Sequence, residues 1–200
     1  MVQVTCMETS LSLLDRLCDP ADAEAWNRLV EVYTPVLHAW LRRYDVLSPA
    51  DVDDLVQDVL VTLSKELPQF RLGRERGAFR AWLRTILVHR LRYFWRARQH
   101  RPQAIGGSDF AEQLEQLSDG QSQTSRLWDS EHDRQVMQRL FTLVEPRFAP
   151  ETWQAFRRQM VDGESADAVA QALQMPLHSV YAAKSRVLKT LRAMADGLIA

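Results

Sequence analysis

The sequence predicts an all-α protein, and three observations lead to that expectation. Apolar residues recur at intervals of three and four, the spacing that places side chains on one face of a helix. The alternation of apolar and polar residues that marks strands is nearly absent, and glycine is scarce, with 7 residues in a chain of 200. At 46% hydrophobic and 26% charged residues, the chain has the composition of a globular protein, long enough for one sizeable domain or two small ones.

The same sequence disfavours several classes of protein. No run of 18 apolar residues occurs, so we expect no transmembrane helix. Glu8 and Asp15 interrupt the layout of a secretory signal, and Cys6 and Cys18 form no CxxC motif. The five histidines share no ligand spacing. We therefore expect a cytoplasmic protein with reduced thiols and with no metal or cofactor of its own.

Two helices are predicted in the first third of the chain. The first contains Pro35, which could bend it. Its apolar stripe comprises Trp26, Leu29, Val30, Tyr33, Val36, Leu37, Trp40, Leu41 and Tyr44. The second helix opens with Ser48 as the cap, Pro49 in the first helical position and Asp51 in the third, and it runs to about Glu66.

The second predicted helix has an acidic face. Asp51, Asp54 and Asp58 are spaced by three and four, so they lie together, with Gln57 beside them. Such a face can dock a protein partner, or it can provide a carboxylate pair for metal or acid chemistry. It can also be a solvated surface whose first-turn acids complement the helix dipole. The spacing leaves all three interpretations open, and catalysis is the weakest because no companion His, Lys or Cys motif is visible.

A basic segment follows a loop over residues 68–77. Residues 71–101 contain ten of the 25 basic residues and a single acid, Glu75, in a chain whose net charge is −1. From Phe79 onward the segment is a predicted amphipathic helix. Its apolar side comprises Phe79, Trp82, Leu83, Ile86, Leu87, Tyr93 and Phe94, and Arg80, Arg84, Arg92, Arg96 and Arg98 fall largely on the other side.

The basic helix can be interpreted in more than one way. Its apolar side predicts a core helix with a basic surface, which is a purely structural role. That role does not explain ten basic residues with one counter-charge, or the position of Trp95 among the arginines. Arginines neutralise phosphates and aromatic rings stack on unpaired bases, so single-stranded nucleic acid is the favoured partner. RNA or an acidic protein would also fit.

The chain changes character after residue 101. Residues 102–125 are rich in Gly, Ser and Gln and carry four acids and no base, which predicts a flexible tether with one short helical patch over residues 110–117. A second helical block is expected from Leu127 to Ala200. We therefore predict two small all-α domains joined by an acidic linker.

The last helical block contains a predicted helix-turn-helix. Ser165 can cap a short helix that carries Ala166, Val169, Ala170 and Leu173. A tight connection through Gln174 and Met175 leads to a helix beginning at Pro176, whose inner stripe is Val180, Ala183, Val187, Leu191 and Met194. Polar residues lie outside this stripe, and two short helices of this kind are typical of a DNA-binding motif, although an ordinary helical hairpin has the same outline.

These motifs, in this order, resemble an extracytoplasmic-function sigma factor, the smallest class of the sigma-70 family of bacterial RNA polymerase specificity subunits. "DVDDLVQDVLVTL" resembles the region 2 helix that docks on the polymerase β′ coiled coil, and "FRAWLRTILVHRLRYFWR" resembles the segment that recognises and melts the −10 promoter element. "DGESADAVAQALQMPLHSVYAAKSRVLKTLR" resembles the region 4 helix-turn-helix that reads the −35 element. The resemblance covers about residues 22–195.

The resemblance implies a role for particular residues. It implies a polymerase-docking surface at Asp51, Asp54, Gln57 and Asp58. It implies −10 element binding, with a flipped base held in the loop before the basic helix, by Phe70, Arg71, Arg74, Arg76, Phe79, Arg80, Trp82, Arg84, His89, Arg92, Tyr93 and Arg96. It implies −35 element binding by His178, Tyr181, Lys184, Ser185, Arg186 and Lys189.

The resemblance also implies a domain organisation. An N-terminal extension over residues 1–21 precedes a region 2-like helical bundle over residues 22–101. A flexible acidic linker over residues 102–126 then threads the nucleic-acid channel of the polymerase, and a region 4-like domain occupies residues 127–200. His89 and Tyr93 stand where many relatives carry Asn and Asp.

The function that follows is that of a non-enzymatic transcription initiation factor. Its partners are core RNA polymerase, through the β′ coiled coil and the β subunit, and promoter DNA, and the resemblance admits an anti-sigma factor as a third. The alternative function is a stand-alone helix-turn-helix transcription regulator. A small enzyme that uses Asp51, Asp53 and Asp54 with a divalent ion is a further alternative.

Overall fold

The fold is a bundle of α-helices, as the sequence predicts. The computed structural model describes residues 13–19, 21–67, 77–99, 107–196 and 198, and no strand occurs among them. Nine α-helices are described: α1 Leu13–Leu17, α2 Ala23–Leu41, α3 Pro49–Glu66, α4 Ala78–Gln99, α5 Gly107–Ser118, α6 Gln123–Val144, α7 Pro150–Met160, α8 Ala166–Ala172 and α9 Leu177–Ala195. A short 3₁₀ turn at Glu145–Arg147 joins α6 to α7.

Helix α2 forms the centre of the N-terminal half and packs against α1, α3 and α6. Its first turn is capped by Asp22, which accepts a hydrogen bond from the Ala25 amide and pairs with Arg16 of α1 at 2.8 Å. The predicted stripe is buried except for Val30, which is 42% exposed, and Trp26, which is half-buried. Val30 therefore corrects the sequence prediction: a stripe this long turns around the helix, and its edge lies outside the core.

Helix α3 has the predicted bounds. Ser48 and Asp51 form a reciprocal capping box, Pro49 occupies the first turn, and the helix ends at Glu66. Val52, Leu55, Val56, Val59 and Leu63 are buried against the neighbouring helices.

The predicted flexible tether is largely helical. Helix α5 covers the expected helical patch, and α6 begins at Gln123, ahead of the predicted start at Leu127. The reason is packing, because Phe110, Leu114 and Leu117 follow helical spacing and are buried, with Phe110 4.8 Å from the Trp95 ring. Ser122 caps α6 by accepting a hydrogen bond from the Ser125 amide.

One hydrophobic core runs through both predicted domains. It includes residues from Leu13 to Leu198, and α6 packs against α2, α5 and α9. The T-shaped contact of Trp40 and Trp128, with ring centroids 4.9 Å apart, lies in this core. Leu13, Leu14 and Leu17 of α1 also join it, so part of the expected N-terminal extension belongs to the bundle.

A second, smaller core supports α8 and the start of α9. It consists of Ala155, Val169, Val180 and Ala183, with Leu173 and Met175 packed against it. The pair Arg158 and Glu164, with contacts of 2.7 and 2.8 Å, closes the connection from α7 to α8.

Candidate protein- and nucleic-acid-binding surfaces

The acidic face of α3 divides into an exposed part and an engaged part. Asp54, Gln57 and Asp58 are exposed, and Asp54 and Asp58 form no ion pair within the described residues. Asp51 instead turns towards α4, where its Oδ2 accepts hydrogen bonds from the Ser48 amide at 2.9 Å and from Arg98 at 2.7 Å. The structure thus brings three of the four predicted docking residues together on the surface and places Asp51 at its edge.

The contacts of Asp51 keep its carboxylate charged. Burial opposes the charge, but the hydrogen bonds from Ser48 and the ion pair with Arg98 outweigh that effect, so the pKa of Asp51 lies below its ordinary value. Asp51 is therefore an anion at neutral pH, with its charge already matched inside the molecule.

A groove of about 530 Å³ lies along the outer side of α2, and its lining includes Val30, Pro35, His38 and Arg139. It adjoins α3, because His38 Nδ1 is 3.6 Å from Asp53 Oδ1. A groove lined by apolar and basic side chains thus lies beside the exposed acids of α3.

The apolar side of α4 belongs to the core. Phe79, Leu83 and Leu87 have no exposed surface, and Phe79 packs edge-to-face on Tyr33 with ring centroids 5.4 Å apart. Trp95 is only 6% exposed against Phe110, so the expectation that it stands among the arginines as a stacking platform is wrong. Helical geometry explains the difference, since Trp95 falls four residues after Leu91 on the buried face.

Tyr93 differs from the prediction in the opposite direction. It is 64% exposed, although the sequence placed it on the apolar side of α4. His89 and Arg96 are exposed as well, and Phe94 is half-buried with the Arg98 guanidinium 5.6 Å from its ring. His89, Tyr93 and Arg96 therefore form the accessible strip of α4.

Two arginines at the start of α4 are held by acids of α6. Arg80 pairs with Asp133 and with Asp129, whose Oδ1 is 3.1 Å from Arg80 Nε, and Arg84 Nη1 is 3.2 Å from the same Oδ1. The arginine side chains are only 14% and 12% exposed. We call Arg80 and Arg84 the arginine pair, and Asp129 and Asp133 the acid pair.

A buried histidine orients Asp133, one member of the acid pair. His132 Nδ1 is 3.0 Å from Asp133 Oδ1, and its Nε2 is 3.2 Å from the Tyr33 hydroxyl. A carboxylate can only accept, so Nδ1 donates to Asp133 and the neutral ring accepts from Tyr33 at Nε2. Burial lowers the pKa of His132 and raises that of Tyr33, so both groups are uncharged at neutral pH.

Asp133 remains charged in this network. Burial opposes its ionisation, but the hydrogen bonds with His132 and Arg80 outweigh that effect and lower the pKa of Asp133. Sequence reasoning missed both members of the acid pair, although their spacing of four along a helix was a readable signal.

Further along α4, Arg92 Nη2 binds Glu115 Oε1 of α5 at 2.8 Å. Together with the Arg98 contact to Asp51, this means that four arginines of α4 have acidic partners on three other helices. Phe70, Arg71, Arg74 and Arg76 of the predicted −10 site lie outside the described residues.

Helices α8 and α9 lie where the sequence predicts a pair of short helices. Ser165 caps α8 by accepting a hydrogen bond from the Ala168 amide, and the predicted inner stripe of α9 is buried throughout. Helix α9 begins at Leu177, one residue later than predicted, and Pro176 provides no side-chain cap. The predicted −35 residues His178, Tyr181, Ser185, Arg186 and Lys189 are exposed, and Lys184 is half-buried.

The connection between α8 and α9 is a Schellman motif. The Met175 amide donates to the Ala170 carbonyl at 3.0 Å, and the Gln174 amide donates to the Gln171 carbonyl at 3.3 Å. Gln174 has a φ of 52°, in the left-handed region where glycine is usual. The turn therefore fixes the orientation of α9 at a cost in backbone strain.

A comparison with protein families gives this geometry a context. Residues 29–101, from α2 to the end of α4, match the family model Sigma-70 region 2. This part of the chain is similar to sigma-70 region 2. The match supports a sigma-70 family sigma factor, and it contains both the acidic face of α3 and the arginines of α4. No curated protein matches the chain.

The region 2 match bears on the enzymatic alternative. Sigma-70 family sigma factors are non-enzymatic transcription initiation factors that bind core RNA polymerase and promoter DNA, in agreement with the sequence prediction. No group of three or more His, Cys, Asp or Glu suited to a metal ion occurs among the described residues. None of the described helices is long and apolar enough to cross a membrane.

Proposed function

We propose that this chain is a sigma factor of the extracytoplasmic-function group. It binds core RNA polymerase, recognises the −10 and −35 elements of its promoters and helps to melt the DNA. The observation that carries the proposal is the region 2 match over residues 29–101, because the acidic helix α3 and the arginine-rich helix α4 both lie within it. The open polar row of α9 supports the −35 role.

Docking on the polymerase uses the exposed acids of α3. Asp54, Gln57 and Asp58 contact the β′ coiled coil, and Asp51 keeps α3 in position by capping it and by holding Arg98. The groove along α2 extends this surface. A basic partner helix, or an amphipathic one with a basic face, complements the negative charge of the exposed carboxylates.

Recognition of the −10 element uses α4 and the loop that precedes it. His89, Tyr93 and Arg96 offer a ring, a phenol and a guanidinium on an accessible strip, which suits an unpaired strand. Phe79 and Trp82 support this surface from the core side. The remaining residues of the predicted −10 site have contacts to the DNA backbone and to a flipped base as their proposed role. These residues are Phe70, Arg71, Arg74, Arg76, Arg80, Arg84 and Arg92.

Recognition of the −35 element uses the outer row of α9. Tyr181, Ser185 and Arg186 face the bases of the major groove, while His178, Lys184 and Lys189 lie closer to phosphates. The proposed division into a region 2-like domain over residues 22–101, a linker over residues 102–126 and a region 4-like domain over residues 127–200 follows these roles. A cytoplasmic location follows from the partner, and an anti-sigma factor stays a prediction.

The docking surface provides the test of the proposed function. Replacing Asp54 and Asp58 by Lys should weaken binding to purified bacterial core polymerase by more than about tenfold, since like charges at an interface cost several kcal/mol. Replacing the exposed Glu151 and Asp162 by Lys changes the net charge equally at a distant place and serves as the control. Circular dichroism should show that both variants are folded.

The same test separates the two functions that the sequence leaves open. A sigma factor loses promoter-specific transcription in vitro together with core binding. Unchanged core binding by the folded Asp54→Lys, Asp58→Lys variant would contradict the docking role. A stand-alone regulator would instead bind duplex DNA through α9 without polymerase and would be indifferent to the charge reversal.

A further inference from the structure

A small polar cavity lies between α4 and the end of α5. Its volume is about 50 Å³, and its polar lining residues are Arg84, Thr85, His89, Arg92 and Ser118. We propose that this cavity binds a phosphate group, either as the free ion or as the terminal group of a phosphorylated small molecule. Such a ligand goes beyond the proposed function, whose partners are all macromolecules.

The cavity has a covered floor and an open mouth. Val88 and Leu117 line it and are 2% and 0% exposed, and the Arg84 side chain beside them is 12% exposed. His89 and Ser118, in contrast, are exposed to solvent. A small ligand can therefore enter past His89 and Ser118 without any change in the packing of α4 on α5.

The lining has the chemistry of an anion site. Two guanidinium groups, an imidazole and the Ser118 hydroxyl offer N–H and O–H donors. The Thr85 hydroxyl already donates to the Ala81 carbonyl at 3.1 Å and adds no further donor. Among the described residues that line the cavity, none is an Asp or a Glu. Charged donors without a carboxylate among them select a negatively charged acceptor.

Both arginines of the cavity are held in place by acids outside its lining. Asp129 contacts Arg84 through Nη1 at 3.2 Å, and Glu115 contacts Arg92 through Nη2 at 2.8 Å. A guanidinium has five N–H donors, so each arginine retains donors for a second partner. A Cβ atom at Gly120 would lie 3.3 Å from Arg84 Nη2, so glycine leaves room for this guanidinium. The site is thus ordered before a ligand arrives, which lowers the entropy cost of binding.

The size of the cavity and the directions of its donors fit a tetrahedral oxyanion. A water molecule requires roughly 10–15 Å³ of such volume, so a cavity of about 50 Å³ has room for about four oxygen atoms. Arg84 and Arg92 are about two helical turns apart with His89 between them, so donors approach from both ends of the cavity. A planar carboxylate, with two oxygens, would leave part of this space and some of these donors unused.

The first experiment titrates the full chain with inorganic phosphate and measures the heat of binding. Sodium chloride keeps the ionic strength at about 0.1 M, so that general charge attraction is screened equally throughout. We expect one saturable site with a dissociation constant below about 1 mM. Sodium acetate, a planar anion, should give no saturable binding over the same range. Absence of phosphate binding, or equal binding of acetate, would overturn the proposal.

A variant at the mouth of the cavity tests the location. Ser118 does not belong to the predicted −10 set, and Ser118→Asp places a carboxylate where the phosphate enters. The dissociation constant should rise by more than about tenfold, because like charges in contact repel strongly. Ser64→Asp makes the same change at an exposed position in the last turn of α3 and should bind phosphate as the unaltered chain does. Equal weakening by both variants would contradict a site at α5.

A second measurement uses the unaltered chain and does not depend on the stability of a variant. The imidazole signals of His89, followed by nuclear magnetic resonance and assigned with a His89→Gln variant, should shift as phosphate is added and reach a plateau. The exposed His178 of α9 is the internal control and should stay unchanged. Equal shifts of the two histidines, or no shift of His89 at saturation, would overturn the proposal.

The source of the phosphate group is distinguished by a nucleoside monophosphate. Adenosine monophosphate that binds as tightly as phosphate assigns the site to the phosphate group alone, and tighter binding assigns it to a phosphorylated small molecule with contacts outside the cavity. Failure of either ligand to bind would leave the proposed function intact, because no residue of the cavity belongs to the exposed acidic face of α3. Core polymerase binding by the Ser118→Asp variant reports on that function separately.

Discussion

At the scale of single residues, Asp51 shows how a side chain can satisfy two structural demands at once. It completes the capping box with Ser48 and it anchors Arg98 from another helix. The sequence places Asp51 on a face with Asp54 and Asp58, and the capping role is readable in the same motif. The contact with Arg98, 47 positions along the chain, is not readable from local spacing.

His132 should make stability depend on pH near neutrality. Because burial lowers its pKa in the folded chain, the unfolded chain takes up the proton first as the pH falls. The stabilising contribution is therefore complete above the unfolded pKa of about 6.5 and is lost below it, at no more than about 1.4 kcal/mol per pH unit. Denaturant unfolding between pH 7.5 and 5, chosen as a window of roughly one to two units around that unfolded value, measures the slope.

A His132→Gln variant provides the comparison for this window. Glutamine does not titrate, so its free energy of unfolding should vary less with pH than that of the unaltered chain. The carboxylates with lowered pKa values, which are Asp22, Asp51, Glu131 and Asp133, lose their contributions only below about 4.3, outside the window. Equal slopes for both proteins would show that His132 does not carry the effect.

Gln174 should be a site where glycine stabilises the protein. Its φ of 52° costs a side-chain-bearing residue energy that glycine avoids, so Gln174→Gly should raise the free energy of unfolding by about 0.5–1 kcal/mol. The matched control is Gln171→Gly, three residues earlier inside α8, which should lower it by about 1 kcal/mol. Thermal unfolding of both variants measures the two changes in stability. A Gln174→Gly variant less stable than the unaltered chain would contradict backbone strain at this position.

At the scale of helices, the start of α3 should depend on its cap. Ser48→Ala removes one half of the reciprocal hydrogen bonds and should lower the free energy of unfolding by about 1 kcal/mol. Ser64→Ala in the same helix is the control, because that exposed hydroxyl binds only a carbonyl of its own helix. Urea unfolding that ranks the two variants equally would argue against the capping contribution.

The helices differ in how well the sequence predicts them. Helix α3 and the start of α9 carry local signals, and the sequence predicts the bounds of α3 and the first residue of α9 to within about one residue. The stretch that holds α5 and the first turn of α6 is predicted as a tether with one short helical patch, because Gly, Ser and Gln dominate it. Their helicity depends on burying Phe110 and Trp128 against distant aromatic rings, and composition carries no information on such contacts.

The candidate site shows the same division. The exposed acids of α3 and the polar row of α9 were predicted from helical periodicity alone. The engagement of Arg80 and Arg84 was not, because Asp133 and Asp129 follow them by 53 and 45 positions. Trp95 was misplaced because a tryptophan between arginines has the same sequence pattern whether it stacks on a base or fills a core.

At the scale of the whole molecule, Trp128 should link the two halves. It is 1% exposed and lies against Trp40, so Trp128→Ala should lower the free energy of unfolding by about 3–5 kcal/mol. The neighbouring Leu127, which is 41% exposed, gives a control substitution to Ala that should stay within about 0.5 kcal/mol. Guanidinium unfolding followed by tryptophan fluorescence measures both, and a Trp128→Ala protein as stable as the control would contradict a shared core.

The shared core has a consequence for the way the protein is made. Tyr33 leaves the ribosome 99 residues ahead of its partner His132. Trp40 likewise leaves the ribosome before its partner Trp128 has been synthesised. During that interval the nascent chain presents aromatic surface to water, the condition under which chaperones are needed. The N-terminal half therefore acquires its final packing only after α6 has been translated.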